Sequence, residues 1–185
     1  MKFNKWIVIG IIAILVVGYG VVTYNSLITK SEVVDKQWAQ VETQYQRRFD
    51  LIPNLVASVK GLMSQEQKVF GDLAAARTQY AGAKTVDAKA AAATQVEGSL
   101  ARLLVIMENY PTLQSSATVQ TLMAQLEGSE NRVSVERQRF NDEVRSFNVT
   151  VKTFPTNLMA KVLGFGERAY FEAAAGSEEA PKVQL

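Results

Sequence analysis

Trp6-Ile7-Val8-Ile9-Gly10-Ile11-Ile12-Ala13-Ile14-Leu15-Val16-Val17-Gly18-Tyr19-Gly20-Val21-Val22 is the stretch that decides how the rest of the chain is read. No charged residue occurs from Trp6 to Thr29, and an apolar run of that length reads as a membrane span. Trp6 and Tyr24 lie roughly 27 Å apart at ~1.5 Å per helical residue, close to the ~30 Å hydrocarbon thickness, so their rings suit the two interfaces. Lys2 and Lys5 before an apolar run also fit a signal peptide. The residues from Gly18 to Thr23 carry no Ala-x-Ala-like cleavage pattern and no cysteine, which favours an uncleaved anchor. With the next charge only at Lys30, the positive-inside rule leaves the N-terminus in the cytoplasm and sends the body outward. The expected division is a cytoplasmic N-terminus at 1–5, a transmembrane anchor at 6–24, a helical-bundle domain at 25–175 and a flexible tail at 176–185.

Beyond the anchor no alternating strand pattern persists, whereas helical spacing does, so the body is all-α. A first apolar row comprises Val34, Trp38, Val41, Tyr45, Phe49, Ile52, Val56, Val59, Met63 and Phe70. It keeps phase through Pro53, which favours one long kinked helix from about Tyr24 to Tyr80, continuous with the span; the alternative is a fresh helix capped by Asp50. Gly82 to Thr85 breaks the pattern, and the alanine-rich Asp87 to Thr94 starts the next helix. Val96, Leu100, Leu103, Met107 and Tyr110 form a second row that Pro111 interrupts. Val119, Leu122, Leu126, Val133, Phe140, Val144, Phe147, Val151 and Phe154 form a third, with Ser115 or Ser116 as its cap, Pro155 as its stop and Gly128 as a potential turn. Long helices with short connections lie antiparallel, giving an up-and-down bundle of three or four helices behind an N-terminal transmembrane helix. Leu158, Val162, Leu163, Phe165, Tyr170 and Phe171 are expected to dock a short helix or loop onto it.

Cysteine and histidine are both absent, which removes disulfides, zinc-thiolate sites and imidazole-based catalysis. Of 20 Lys and Arg, Lys2 and Lys5 precede the span, and the remainder match the 18 Asp and Glu. A neutral body argues against nucleic acid as a partner. Gly164-Phe165-Gly166-Glu167-Arg168-Ala169 mimics a dinucleotide fingerprint but follows a helix end, where glycines serve a turn. The helix-borne Glu66, Glu97, Glu108, Glu127, Glu130, Glu136 and Glu143 lack the histidines of a bundle-core diiron site, and surface pairing with Arg77, Arg102, Arg132, Arg137 and Arg139 is the expected role. No catalytic residue, cofactor or metal is expected.

The segment Arg47-Arg48-Phe49-Asp50-Leu51-Ile52-Pro53-Asn54-Leu55-Val56 stands out locally. Arg47, Arg48, Asp50, Pro53 and Asn54 are candidates for a docking edge. The structural alternative has Asp50 and Asn54 bonding backbone freed by a Pro53 kink, and the arginines pairing with acids on a neighbouring helix.

From the anchor onward the chain resembles the LemA family. The resemblance is carried by Tyr24-Asn25-x-Leu27, Glu32, Val33, Trp38, the Arg47–Val56 segment, Val59-Lys60-Gly61, Ala76-Arg77 and Glu108-Asn109-Tyr110-Pro111-x-Leu113. It continues through Glu130-Asn131-Arg132, Arg137, Arg139-Phe140-Asn141, Phe147-Asn148, Phe154-Pro155, Gly164-Phe165 and Tyr170-Phe171-Glu172. Phe140 and Phe147 stand where the family commonly has tyrosine, and Ser64-Gln65-Glu66 where a histidine often precedes the glutamate. The resemblance implies a helical bundle fixed to the bacterial cytoplasmic membrane, without a known activity or cofactor, and encoded near membrane metallopeptidases in some members. The functional expectation is a non-enzymatic envelope scaffold or adaptor. Its partners would be the lipid bilayer, through the N-terminal helix, and a protein or a second copy. A small-ligand carrier, a carboxylate-dependent enzyme, or an accessory factor of a membrane peptidase is the alternative.

Overall fold

A computed structural model describes residues 5–171. It holds α1 (Lys5–Val59), α2 (Gln67–Gly82), α3 (Val86–Met107), α4 (Pro111–Gln114), α5 (Ala117–Lys152) and α6 (Thr156–Leu163), with no strand among the described residues. The protein is an all-α bundle with an apolar N-terminal helix. The tail expected at 176–185 and the first residues of the N-terminus lie outside the described residues.

The apolar run and the first core row form one helix, α1, and Pro53 lies inside it. Proline there withholds the amide that would reach the Phe49 carbonyl, but the helix continues to Val59. The expected continuation to Tyr80 is corrected: residues 60–66 break the helix at Lys60-Gly61, with Met63 N–H still donating to the Val59 carbonyl at 3.0 Å. Met63 stays fully buried. The row therefore keeps its spacing across a turn, which is why phase alone could not reveal the break.

Thr85 caps α3, its hydroxyl accepting from Ala88 N–H at 3.2 Å, and Asp87 adds negative charge to the first turn. Pro111 occupies the first turn of α4. Gly128 marks no turn, because α5 runs through it to Lys152. Gly164 ends α6 at φ +79, a left-handed position that a side chain resists.

The described residues gather into two compact units, 5–38 with 139–170, and 39–138 with Phe171. In the second unit α1 neighbours Lys89 of α3 through Glu42, and Glu97 through Arg48, so these helices run in the same sense. Arg137 meets Tyr45 and Glu130 meets Arg48, so α5 runs oppositely. Tyr80 of α2 packs its ring on Phe49 at 4.8 Å. The result is an up-down-up-down arrangement.

In the first unit Lys30 donates to Ser146 Oγ at 3.0 Å and Trp38 packs edge-on against Phe140 at 5.3 Å, again antiparallel. Residues 165–170 return along the pair. Asn148 clamps them, its Nδ2 donating to the Arg168 carbonyl and its Oδ1 accepting from Arg168 N–H, both at 2.8 Å. Arg168 then reaches Ser31 Oγ at 3.0 Å and Asp35 at 3.1 Å.

The buried seam of α1 runs Leu27, Val34, Trp38, Val41, Tyr45, Arg48, Ile52, Leu55 and Val59, with Ser31 half-buried between the first two and with Thr23 and Phe49 also buried on this helix. Counting Ser31, the steps alternate four and three, the 3.5-residue seam of side-by-side helices. Val56, expected in the core, is half-buried and Leu55 takes its place. Phe70 is also only half-buried.

Candidate functional site

The 4-3 seam of α1 carries Tyr45 and Arg48 inward among apolar neighbours, in the unit formed by residues 39–138 and Phe171. Arg48 Nη1 donates to Glu97 of α3 at 3.2 Å, and Nη2 to Glu130 of α5 at 3.2 Å; its side chain is 7% exposed, that of Glu130 65%. Arg137 of α5 shares Glu97, donating through Nη2 at 2.6 Å, and its Nε donates to the Tyr45 hydroxyl at 2.7 Å. The Arg137 guanidinium also lies over the Tyr45 ring at 5.2 Å and the Phe171 ring at 4.5 Å.

Burial raises the Tyr45 phenol far above its ordinary pKa, and the Glu97 charge adds to the effect, so Tyr45 stays a neutral acceptor. Burial likewise pushes the Tyr80 phenol up to about 12. Desolvation opposes the Arg137 charge, but the hydrogen bond it donates to Glu97 and the proximity of Tyr45 outweigh it and raise its pKa. Two arginines and two glutamates balance one another. The charges pair with one another although buried Arg48 Nε has no partner among the described residues, and the contribution of this cluster is cohesion between α1, α3 and α5.

Beside the cluster opens a groove of about 710 Å³ among α1, α3 and α5. Leu100, Leu104, Met107 and Met123 line its apolar wall, and Arg48 and Glu130 reach it from the cluster. Among the described residues no three carboxylates gather as a metal ion needs.

The sequence-derived candidates are dispersed. Arg47, Asp50, Pro53 and Asn54 are exposed, and only Arg48 turns inward. Asp50 accepts from Gln46 Nε2 at 2.8 Å, one helical turn away, and the Asn54 carbonyl accepts from Ser58 Oγ at 2.8 Å. Of the residues from Trp6 to Val22, all are exposed except half-buried Gly20. Glu97 and Arg137 were expected to pair on the surface and instead pair half-buried. Tyr45 was read as core alone, and Phe171 as docking a short helix or loop onto the bundle. The signal that would have found the cluster is Arg48 itself, a charge at a 4-3 seam position.

Two helices among the described residues, α1 and α3, are long and apolar enough to cross a membrane. In α3 the side chains of Ala92, Ala93, Val96, Leu100, Leu103 and Met107 are buried in the bundle. The apolar stretch of α1 is instead almost wholly uncovered.

The LemA family model matches residues 37–185. The chain belongs to the LemA family. The LemA match begins at Gln37, so it contains the whole cluster and starts after the apolar run. The chain is similar to the magnetosome protein MamQ 2 of Paramagnetospirillum magneticum, 25% identical over 175 residues, covering 80% of this chain and 64% of the relative. It is similar also to the magnetosome protein MamQ of Magnetospirillum gryphiswaldense, 26% identical over 180 residues, covering 83% and 66%. The chain thus spans under two-thirds of the length of these LemA-family relatives.

Proposed function

We propose that this LemA-family protein is a single-pass anchored bundle of the bacterial cytoplasmic membrane, acting without catalysis as an envelope scaffold or adaptor for proteins, its own copies included. In this reading the N-terminus is cytoplasmic and the bundle lies on the far side. One observation carries it: α1 is a single helix that bears exposed aliphatic residues at one end and a buried 4-3 seam at the other. Anchoring in a plane raises effective concentration, so modest contacts through a helix face suffice for capture or assembly. The groove lined by Leu104, Met107 and Met123 offers such a face, and methionine adapts to varied partners.

Light scattering on the full-length protein in mild detergent, corrected for bound detergent, tests self-assembly. Crosslinking in cells tests partner capture. A defined oligomer or a specifically retained envelope protein supports the scaffold; a monomer that retains nothing overturns it. Topology is tested separately, because the chain has no cysteine. Exposed Val105, changed to cysteine, labels with a membrane-impermeant maleimide before lysis if the bundle lies outside, and only after lysis if it lies inside.

The concave groove beside buried Arg48 favours a second reading, a carrier of a small ligand with an apolar body. Met123→Trp would fill the groove and abolish such binding while leaving oligomer mass unchanged.

A further inference from the structure

Phe154, Leu158, Val162 and Tyr170 are apolar or aromatic residues that the bundle leaves uncovered, with Phe154 74%, Leu158 56% and Val162 81% exposed. The sequence reading placed Phe154 in the third core row and docked Leu158, Val162 and Tyr170 on the bundle; the structure corrects both. The reason is local. The α5 helix stops at Lys152, which takes Phe154 out of register with its row. In α6, Thr156, Met159 and fully buried Ala160 take the packed side. Leu158 and Val162 are four residues apart, so they share one face, and it points away.

What α6 packs against decides what covers that face. The Thr156 hydroxyl hydrogen-bonds the Tyr19 hydroxyl at 3.2 Å. Met159 Cε lies 3.1 Å from the point where a Cβ on Gly20 would stand, so the missing side chain of Gly20 lets α6 approach. Phe165 meets the Tyr24 ring at 6.3 Å. Tyr19 and Gly20 belong to the last turn of the uncovered apolar run on α1. The unpartnered face of α6 is therefore continuous with that run and lies at its outer end. Exposed Lys161 on α6 supplies positive charge suited to anionic headgroups.

We infer that α6 is a membrane-surface element whose Phe154, Leu158 and Val162 insert at the headgroup–acyl boundary of a bilayer containing anionic lipid, seating the base of the bundle on the membrane. The inference rests on reading Trp6–Val22 as a membrane span. It adds a second, shallow lipid contact to the deep one and commits the face to lipid rather than to a second copy or a protein.

The test uses the full chain in phosphatidylethanolamine–phosphatidylglycerol vesicles. Single variants Leu158→Cys, Val162→Cys, Ile12→Cys and Val105→Cys each carry an environment-sensitive fluorophore, and quenching is compared for lipids bearing a nitroxide at shallow or deep positions. The expected result is severalfold quenching of the 158 and 162 labels by the shallow nitroxide, quenching of the 12 label by the deep one, and an unquenched 105 label. If the 12 label is quenched while 158 and 162 are not, the anchor stands and the role of α6 is overturned. Blue-shifted but unquenched emission at 158 and 162 overturns it too, in favour of a protein covering the face. An unquenched 12 label overturns the anchor reading and this inference with it.

Discussion

Asn148 is a side chain doing a backbone's work, because its amide presents one donor and one acceptor to the two peptide groups of Arg168. Truncation to alanine leaves both without their partner and is expected to cost about 1–3 kcal/mol, read as a lower thermal midpoint by circular dichroism. Asn148→Asp, of nearly identical shape, is expected to cost at least as much, because a carboxylate oxygen then faces the Arg168 carbonyl. A smaller loss for the acid than for the truncation would show that the bond accepted from Arg168 N–H carries most of the clamp. Glu97 is the second residue on which much turns, since among the described residues it alone bonds both Arg48 and Arg137. Glu97→Gln is expected to cost about 3 kcal/mol, because among the described residues buried Arg48 then keeps only exposed Glu130 as an anionic partner. An unfolding curve within experimental error of the parent's would remove the cluster from the forces holding the bundle. These residues were hard to see in the sequence for a physical reason. Arg48, Ser129 and Asn148 are polar yet buried, and a scan for apolar periodicity leaves blanks where they sit.

At the scale of elements, Pro53 is exposed and inside α1, so its ring contributes little packing while removing a helical donor. Pro53→Ala is expected to raise stability by about 1–3 kcal/mol, measured by urea unfolding of the full-length protein in detergent. A loss instead would mean the seam requires the local bend. Gly164→Ala forces a side chain to φ +79 and is expected to lower stability by about 1–2 kcal/mol. Helix starts and stops were legible wherever backbone chemistry announced them, as at Thr85, Pro111 and the glycines after Leu163. They were illegible where spacing survived a turn, at Lys60–Glu66, and where a glycine sat mid-helix without consequence, at Gly128. The apolar rows found most of the core because burial follows helical period whatever the partner. They misplaced Phe154, and the docking expected of Leu158 and Val162 failed likewise, because apolarity is silent on what covers it. The candidate cluster was legible only in part, since pairing between α1, α3 and α5 depends on an alignment of helices that no local pattern encodes.

The molecule as a whole has neither histidine nor cysteine, so no side-chain type with an ordinary titration between about pH 5 and 8 is present. Its stability is expected to be nearly flat across that window. Alkaline behaviour differs, because the buried phenols of Tyr45 and Tyr80 hold their protons more tightly than the unfolded chain, where the value is 10.0. The stability they contribute is complete below pH 10 and drains as pH climbs toward the folded values, by up to about 1.4 kcal/mol per pH unit for each phenol. Tyr45→Phe, which also removes the acceptor of Arg137, should lower stability at neutral pH and flatten this alkaline decline. A decline equally steep in the variant would assign the alkaline loss to other groups. The shared carboxylate of Glu97 has a further consequence, for descent. Two arginines from different helices draw on one acid, so loss of either arginine leaves Glu97 with the other, whereas loss of Glu97 leaves both arginines short of their shared partner. The arrangement is therefore lopsided: either arginine position is expected to accept a neutral replacement more readily than the single acid on which both depend.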